Sequence, residues 1–187
     1  MLQLDEVFQE RLDLLPCNLK YLTIIGKFNH PLNDLPNSLI ELHISREFNE
    51  SLDNLPINLE KLIIGTEFNK PLNNLPPNLK FLYFTTFSKF NHPIFNLPKK
   101  LKIIEFGEYF NQPLQNLPTS LCQLKFNDFS RFNQPLKNLP KNLTLLKLGG
   151  NYNHPMEDLP MSLRLLIINK NYKSYILGTH FQIVKSI

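Results

Sequence analysis

Along residues 28–45, FNHPLNDLPNSLIELHIS, apolar and polar positions follow two different rhythms. In the last part, Leu42 and Ile44 alternate with Glu41, His43 and Ser45, the period-two pattern of a short strand with one buried face. The first part carries Pro31 and Pro36. Each proline removes an N–H and disfavours helical geometry at the residue before it, so no α-helix can run through this part. The stretch predicts one strand preceded by an extended or 3₁₀-like return.

The same phrase returns along the chain. Units open at Phe28, Phe48, Phe68, Phe90, Phe110, Phe132 and Tyr152, in steps of 20 or 22 residues. A degenerate unit opens at Phe8, and a decayed one follows Tyr172. The shared pattern is F-N-x-P-L-x-x-L-P-x-x-L-x-x-L-x-[ILF]. Recurrence at such a period marks a solenoid. One unit alone cannot bury its apolar residues, but stacked units can, with like residues over like at roughly 4.8 Å per coil. The expectation is a single repeat-solenoid domain over residues 1–187, with a parallel β-sheet on one face, extended or 3₁₀ returns, and little or no α-helix. Its units are 8–27, 28–47, 48–67, 68–89, 90–109, 110–131, 132–151 and 152–171, followed by a C-terminal cap, 172–187.

In this arrangement Phe28, Leu32, Leu35, Leu39, Leu42 and Ile44 point inward, and the Phe column becomes a ladder of offset-stacked rings. The following asparagines (Asn29, Asn49, Asn69, Asn91, Asn111, Asn133 and Asn153) are expected as a buried ladder that satisfies backbone groups between coils. The units opening at Phe68 and Phe110 carry two additional residues, in TTFSK (85–89) and NDFSR (127–131). Inserts in a solenoid map to loops on one edge. Phe87 and Phe129 are therefore expected to fold over that edge as plugs, about 10 Å apart.

The pattern resembles the FNIP repeat, a leucine-rich-repeat-like module abundant in amoebae and in large viruses that infect them. The resemblance runs from about Phe8 to Asn171, although Ser51 stands where the pattern has proline. The resemblance implies a leucine-rich-repeat-like fold and a role as an adaptor for protein–protein recognition. Some relatives carry an F-box ahead of the repeats. Too few residues precede Phe8 here for F-box helices, so none is expected in this sequence.

Composition changes this picture little. With 42% hydrophobic and 19% charged residues, the chain reads as an ordinary folded protein rather than a disordered one. The net charge of +4 is unevenly spread. Residues 1–93 carry 8 Lys+Arg and 11 Asp+Glu, and residues 94–187 carry 12 and 5, so the halves stand near −3 and +7. Such a field steers partners without naming them. The start, MLQLDEVFQE, has no basic n-region or apolar h-region, and no run is long enough to span a bilayer. A cytoplasmic protein, in the host cytoplasm if viral, and no membrane partner are the expectations.

No chemistry of a site emerges. His30, His92 and His154 share one slot in units three coils apart, roughly 14 Å from one another, whereas metal ligands lie about 2 Å from a common ion. They are read as exposed loop residues, and no metal is expected. Cys17 and Cys122 would stand roughly 24 Å apart, too far for a disulfide. There is no glycine-rich phosphate loop, nucleophile elbow or H-E-x-x-H helix. Near-identical coils also lack the unique convergent groups an active site needs. The chain is expected to be non-enzymatic, without catalytic residues or cofactors.

What varies from coil to coil is the outward face of the strands. One column reads Tyr21, Glu41, Lys61, Phe81, Ile103, Gln123, Leu145, Leu165. The other reads Thr23, His43, Ile63, Tyr83, Glu105, Lys125, Lys147, Ile167. Phe81, Tyr83, Ile63 and Ile103 form an apolar patch edged by Lys61, Glu105 and Lys125, with Lys147 beyond. Exposed aromatics rimmed by charge suit a protein partner. The same residues also suit strands for no reason beyond propensity. A basic nucleic-acid scaffold is the other function considered, but Lys99, Lys100, Lys137 and Lys141 fall on the returns instead of one phosphate-tracking groove. A third is a structural repeat protein without a partner.

Overall fold

A computed structural model describes residues 1–5, 8, 12, 14–178 and 180–186. Ten strands follow one another: β1 (Leu2–Leu4), β2 (Tyr21–Ile24), β3 (Glu41–His43), β4 (Lys61–Ile64), β5 (Phe81–Phe84), β6 (Ile103–Phe106), β7 (Gln123–Phe126), β8 (Leu145–Lys147), β9 (Leu165–Asn169) and β10 (Gln182–Ser186). They lie in sequence order in one ten-stranded sheet. Every pairing is parallel, with Leu22, Leu42, Leu62, Leu82, Ile104, Leu124, Leu146 and Leu166 in one register line. Among the described residues there is no helix. This is the expected parallel β-solenoid, and beyond Tyr172 one further strand, β10, pairs with β9.

Each return closes in the same turn. The Leu39 N–H donates to the Pro36 carbonyl at 3.0 Å, and the equivalent bond recurs at Leu19, Leu59, Leu79, Leu101, Leu121, Leu143 and Leu163. Proline holds the chain extended into this turn, and the residue before the leucine, Asn or Ser in every case but Lys100, suits the bend. That polar residue also ties coils together. Ser38 Oγ donates to Leu19 O at 2.7 Å, and Asn58 Nδ2 to Asn37 O at 2.9 Å. The repeat pattern predicts apolar ladders and the asparagine after phenylalanine; this second polar ladder is a finding of the structure.

The core is the stack of inward columns. Phe28, Leu39, Leu42 and Ile44 are at most 1% exposed, and Leu32 and Leu35 at most 8%. Phe8, Phe28, Phe48, Phe68, Phe90, Phe110, Phe132, Tyr152 and Tyr172 form one continuous column of stacked rings, with centroids 5.9–6.4 Å apart. Strands in a sheet are spaced by only about 4.8 Å. The coils therefore fan out from the sheet toward the rings, and the sheet takes the inner side of the stack.

The asparagine ladder forms, but at the surface rather than buried. Asn29 Oδ1 accepts from the Asn49 N–H at 2.7 Å, and the same bond links Asn49 to Asn69, Asn69 to Asn91, Asn91 to Asn111, Asn111 to Asn133, and Asn133 to Asn153. The reason for the difference is alternation in an extended segment: with phenylalanine turned inward, its neighbour must turn out. The histidines of the next slot are not free loop residues either. His92 Nε2 and His154 Nε2 each lie 3.0 Å from the carbonyl oxygen of the asparagine one coil back.

The ladder of rings is interrupted chemically at Tyr152. Its hydroxyl is buried, faces the Leu136 backbone and makes no hydrogen bond of ordinary geometry. Burial first, and then the neighbouring Tyr172, push its pKa well above the usual tyrosine value. An unsatisfied buried hydroxyl costs about 1–3 kcal/mol. Tyr152→Phe is therefore expected to raise stability by about 1 kcal/mol in urea unfolding; a loss of stability would show that the hydroxyl has a partner.

The inserts leave the strands intact, as expected, but their rings are not plugs. Phe87 is 58% and Phe129 63% exposed, and the rings stack on each other with centroids 6.2 Å apart instead of the expected separation. The two insert turns lean together over the insert-free coil between them. Asn127 Nδ2 reaches Thr86 O at 2.6 Å across that coil. Gly107 lies beneath the first insert, where a side chain would collide with Thr85 O and Ser88 Cβ, each 2.6 Å from an added Cβ.

Candidate partner-binding face

The sheet brings every residue of the expected face into register. Lys61 pairs in register with Phe81 and Ile63 with Tyr83; Phe81 then pairs with Ile103, and Tyr83 with Glu105. Glu105 lies beside Lys125, and Lys125 beside Lys147. The strand positions between them, Leu62, Leu82, Ile104 and Leu124, are fully buried beneath. Ile63, Phe81, Tyr83 and Ile103 therefore form one contiguous outward patch over three coils. Each is half-buried, because neighbouring strands cover one another's side chains.

Charge on this face is partly self-neutralised. Lys61 Nζ lies 2.8 Å from Glu41 Oε1, and Lys147 Nζ lies 3.1 Å from an Asp128 carboxylate oxygen of the second insert. Both bridges join successive coils and, being surface pairs, are worth at most about 1 kcal/mol each. Glu105 and Lys125 are register partners but form no ion pair, so both charged heads remain available to a partner.

Two titrating groups, His43 beside the patch and Tyr83 within it, are shifted from their usual values. Burial, partly offset by Glu41 and reinforced by Lys61, holds the His43 pKa below its usual 6.5. The neutral ring is favoured in the fold, so its contribution to stability is present above about pH 6.5 and is lost as the pH falls below that value. Burial raises the Tyr83 pKa, and Glu105 and Glu41 add to this against Lys61. Tyr83 therefore presents a neutral hydroxyl donor above the apolar patch.

The most exposed rings lie elsewhere. Phe87 and Phe129 sit at the insert edge, where Arg131 stacks on Tyr109 with its guanidinium carbon 3.9 Å from the ring centroid. Phe95, 60% exposed, sits on a return. Variation along the strands does not reveal Phe95; its signal lies on the returns, where it is the one aromatic in a column that is polar in the other full units. Cys17 and Cys122 are free thiols. Among the described residues, no three His, Cys, Asp or Glu side chains gather as metal ligands, and no helix is long and apolar enough to cross a membrane.

The model of the FNIP repeat matches residues 28–66, 48–87, 90–129 and 132–171. The chain belongs to the FNIP repeat family. Each matched segment spans roughly two coils and so includes two successive rings of the column. Among solved structures the chain is similar to CroV588, described as a novel circular LRR protein, at 28% identity and a TM-score of 0.69. The match covers 97% of this chain and 36% of that one, so this FNIP array spans about a third of the circular protein's length. No curated protein matches the sequence.

Proposed function

We propose that this FNIP-repeat chain is a non-enzymatic scaffold that binds a protein partner across the outward face of its sheet. The observation that carries this reading is the contrast between columns. Inward positions repeat from coil to coil, as packing requires, whereas the two outward columns differ at almost every step yet lie in strict register. The anchors are Phe81, Tyr83, Ile63 and Ile103, and the orienting charges are Lys61, Glu105, Lys125 and Lys147. Aromatic anchors at the centre with charge at the rim are the usual anatomy of a binding hot spot. The inner side of a fanned stack also presents several coils to one object at once.

A Phe81→Ala/Tyr83→Ala variant is expected to keep its fold, because the columns beneath it are untouched, and to lose captured partners by about tenfold or more. Affinity capture with the tagged parent and variant, quantified by mass spectrometry after matched circular dichroism melts, checks this. Capture of the same proteins in the same amounts by a folded variant would overturn the reading.

A further inference from the structure

One column of the returns is polar in every full unit but one. It holds Asn33, Asp53, Asn73, Gln115, Lys137 and Glu157, but in the unit opening at Phe90 it holds Phe95. Packing does not account for the ring. The adjacent Ile94 is 2% exposed and fills the core position of that coil, while Phe95 stands 60% exposed. Phe95 lines an open cleft together with Pro77, Leu97, Leu117, Lys99 and Lys100. No carboxylate lines this cleft. Lys100 is held in place, its Nζ donating to Asn78 Oδ1 at 2.7 Å. Lys99 is exposed and pairs with no acid. Lys61, Lys80, Lys89, Arg131 and Lys147, by contrast, each lie beside a carboxylate.

We propose that this cleft binds an acidic peptide segment, with an apolar side chain laid against Phe95 and Pro77 and a carboxylate beside Lys99. The surface lies on the returns, away from the sheet, and the proposal stands independently of the sheet-face reading. Charge and shape select the occupant. An uncompensated pair of lysines beside aliphatic, proline and aromatic surface suits an apolar group flanked by carboxylates. A nucleic acid calls for cations strung along a groove, with ring faces for successive bases. Here both lysines sit at one point beside a single ring.

The probe is a fluorescein-labelled peptide, GDELFEDG, titrated with the whole chain and followed by anisotropy. A copy with lysine in place of every acid and a poly(U) 12-mer serve as comparators. Saturable binding is expected for the acidic peptide alone. It should weaken about tenfold in Phe95→Asn, and weaken with a smaller salt dependence in Lys99→Thr. Both substitutions use residues that other units carry at these positions, Asn33 and Thr119, so both variants should keep the parent's melting profile. Phe81→Ala/Tyr83→Ala should bind the peptide as the parent does. The proposal fails if the acidic peptide does not saturate, if Phe95→Asn binds it equally well, if poly(U) binds more tightly, or if only the sheet-face variant loses binding. The last result would place the probe on the sheet and leave the sheet-face reading standing.

Discussion

Phe90→Ala is expected to lower the free energy of unfolding by about 3–5 kcal/mol, the range for truncating a buried phenylalanine. Phe90 is 1% exposed and stands in the middle of the column. It stacks on Phe68 at 6.0 Å and on Phe110 at 5.9 Å, and a third ring, Phe84 of β5, lies 4.6 Å away. Alanine would remove these three stacking contacts with phenylalanine rings, each worth about 0.5–1.5 kcal/mol beyond simple burial, and leave a cavity. The coils on either side cannot collapse into it, because their own hydrogen bonds, from Asn91 back to Asn69 and from Asn111 back to Asn91, hold the spacing. Urea unfolding of parent and variant measures the difference. A loss below about 1 kcal/mol would show that the ring column is not the core it is taken to be.

Gly65→Ala should cost about 3 kcal/mol, at the upper end of the range for overpacking. Elsewhere this exchange often stabilises a protein by about 0.4–1 kcal/mol, because alanine narrows the unfolded ensemble. Here space reverses the sign. An added Cβ would sit 1.9 Å from the Ser45 carbonyl oxygen and 2.9 Å from Arg46 Cα. Both obstacles are backbone of the preceding coil, so no side chain can simply swing away. Gly65 has no need of left-handed backbone; among the described glycines only Gly26 and Gly178 have positive φ. The glycine is there because two coils touch. Equal or higher stability of Gly65→Ala in the same urea measurement would mean that the coils are less closely packed at this point.

The fold was legible because the same physical demand recurs in every coil. Leu42 over Leu62 over Leu82, or Phe48 over Phe68, can be read from spacing once stacking is assumed, and the outward columns then follow by alternation. What escaped the reading depended on space between particular coils. Whether Phe87 and Phe129 turn in or out depends on how their turns lean over the next coil, at Gly107 and Gly149, which no period encodes. The bonding need of the asparagines after each phenylalanine points to backbone groups, which they do meet, but says nothing of side; alternation with the inward ring puts them outside. On the candidate face, the apolar patch was readable. The bridge from Lys147 to Asp128, which ties an insert to the sheet, was not, because those residues meet only when an insert folds back onto the next coil.

Docking of a partner on the sheet face can be seen by hydroxyl-radical footprinting of the chain alone and in complex with whichever protein it captures. Side-chain oxidation is read residue by residue by mass spectrometry. Phe81 and Tyr83 are expected to become about threefold or more protected in the complex, while Phe87, Phe95 and Phe129 react as in the free chain. Unchanged oxidation of Phe81 and Tyr83, with protection at Phe87 and Phe129 instead, would contradict it and move the interface to the insert edge.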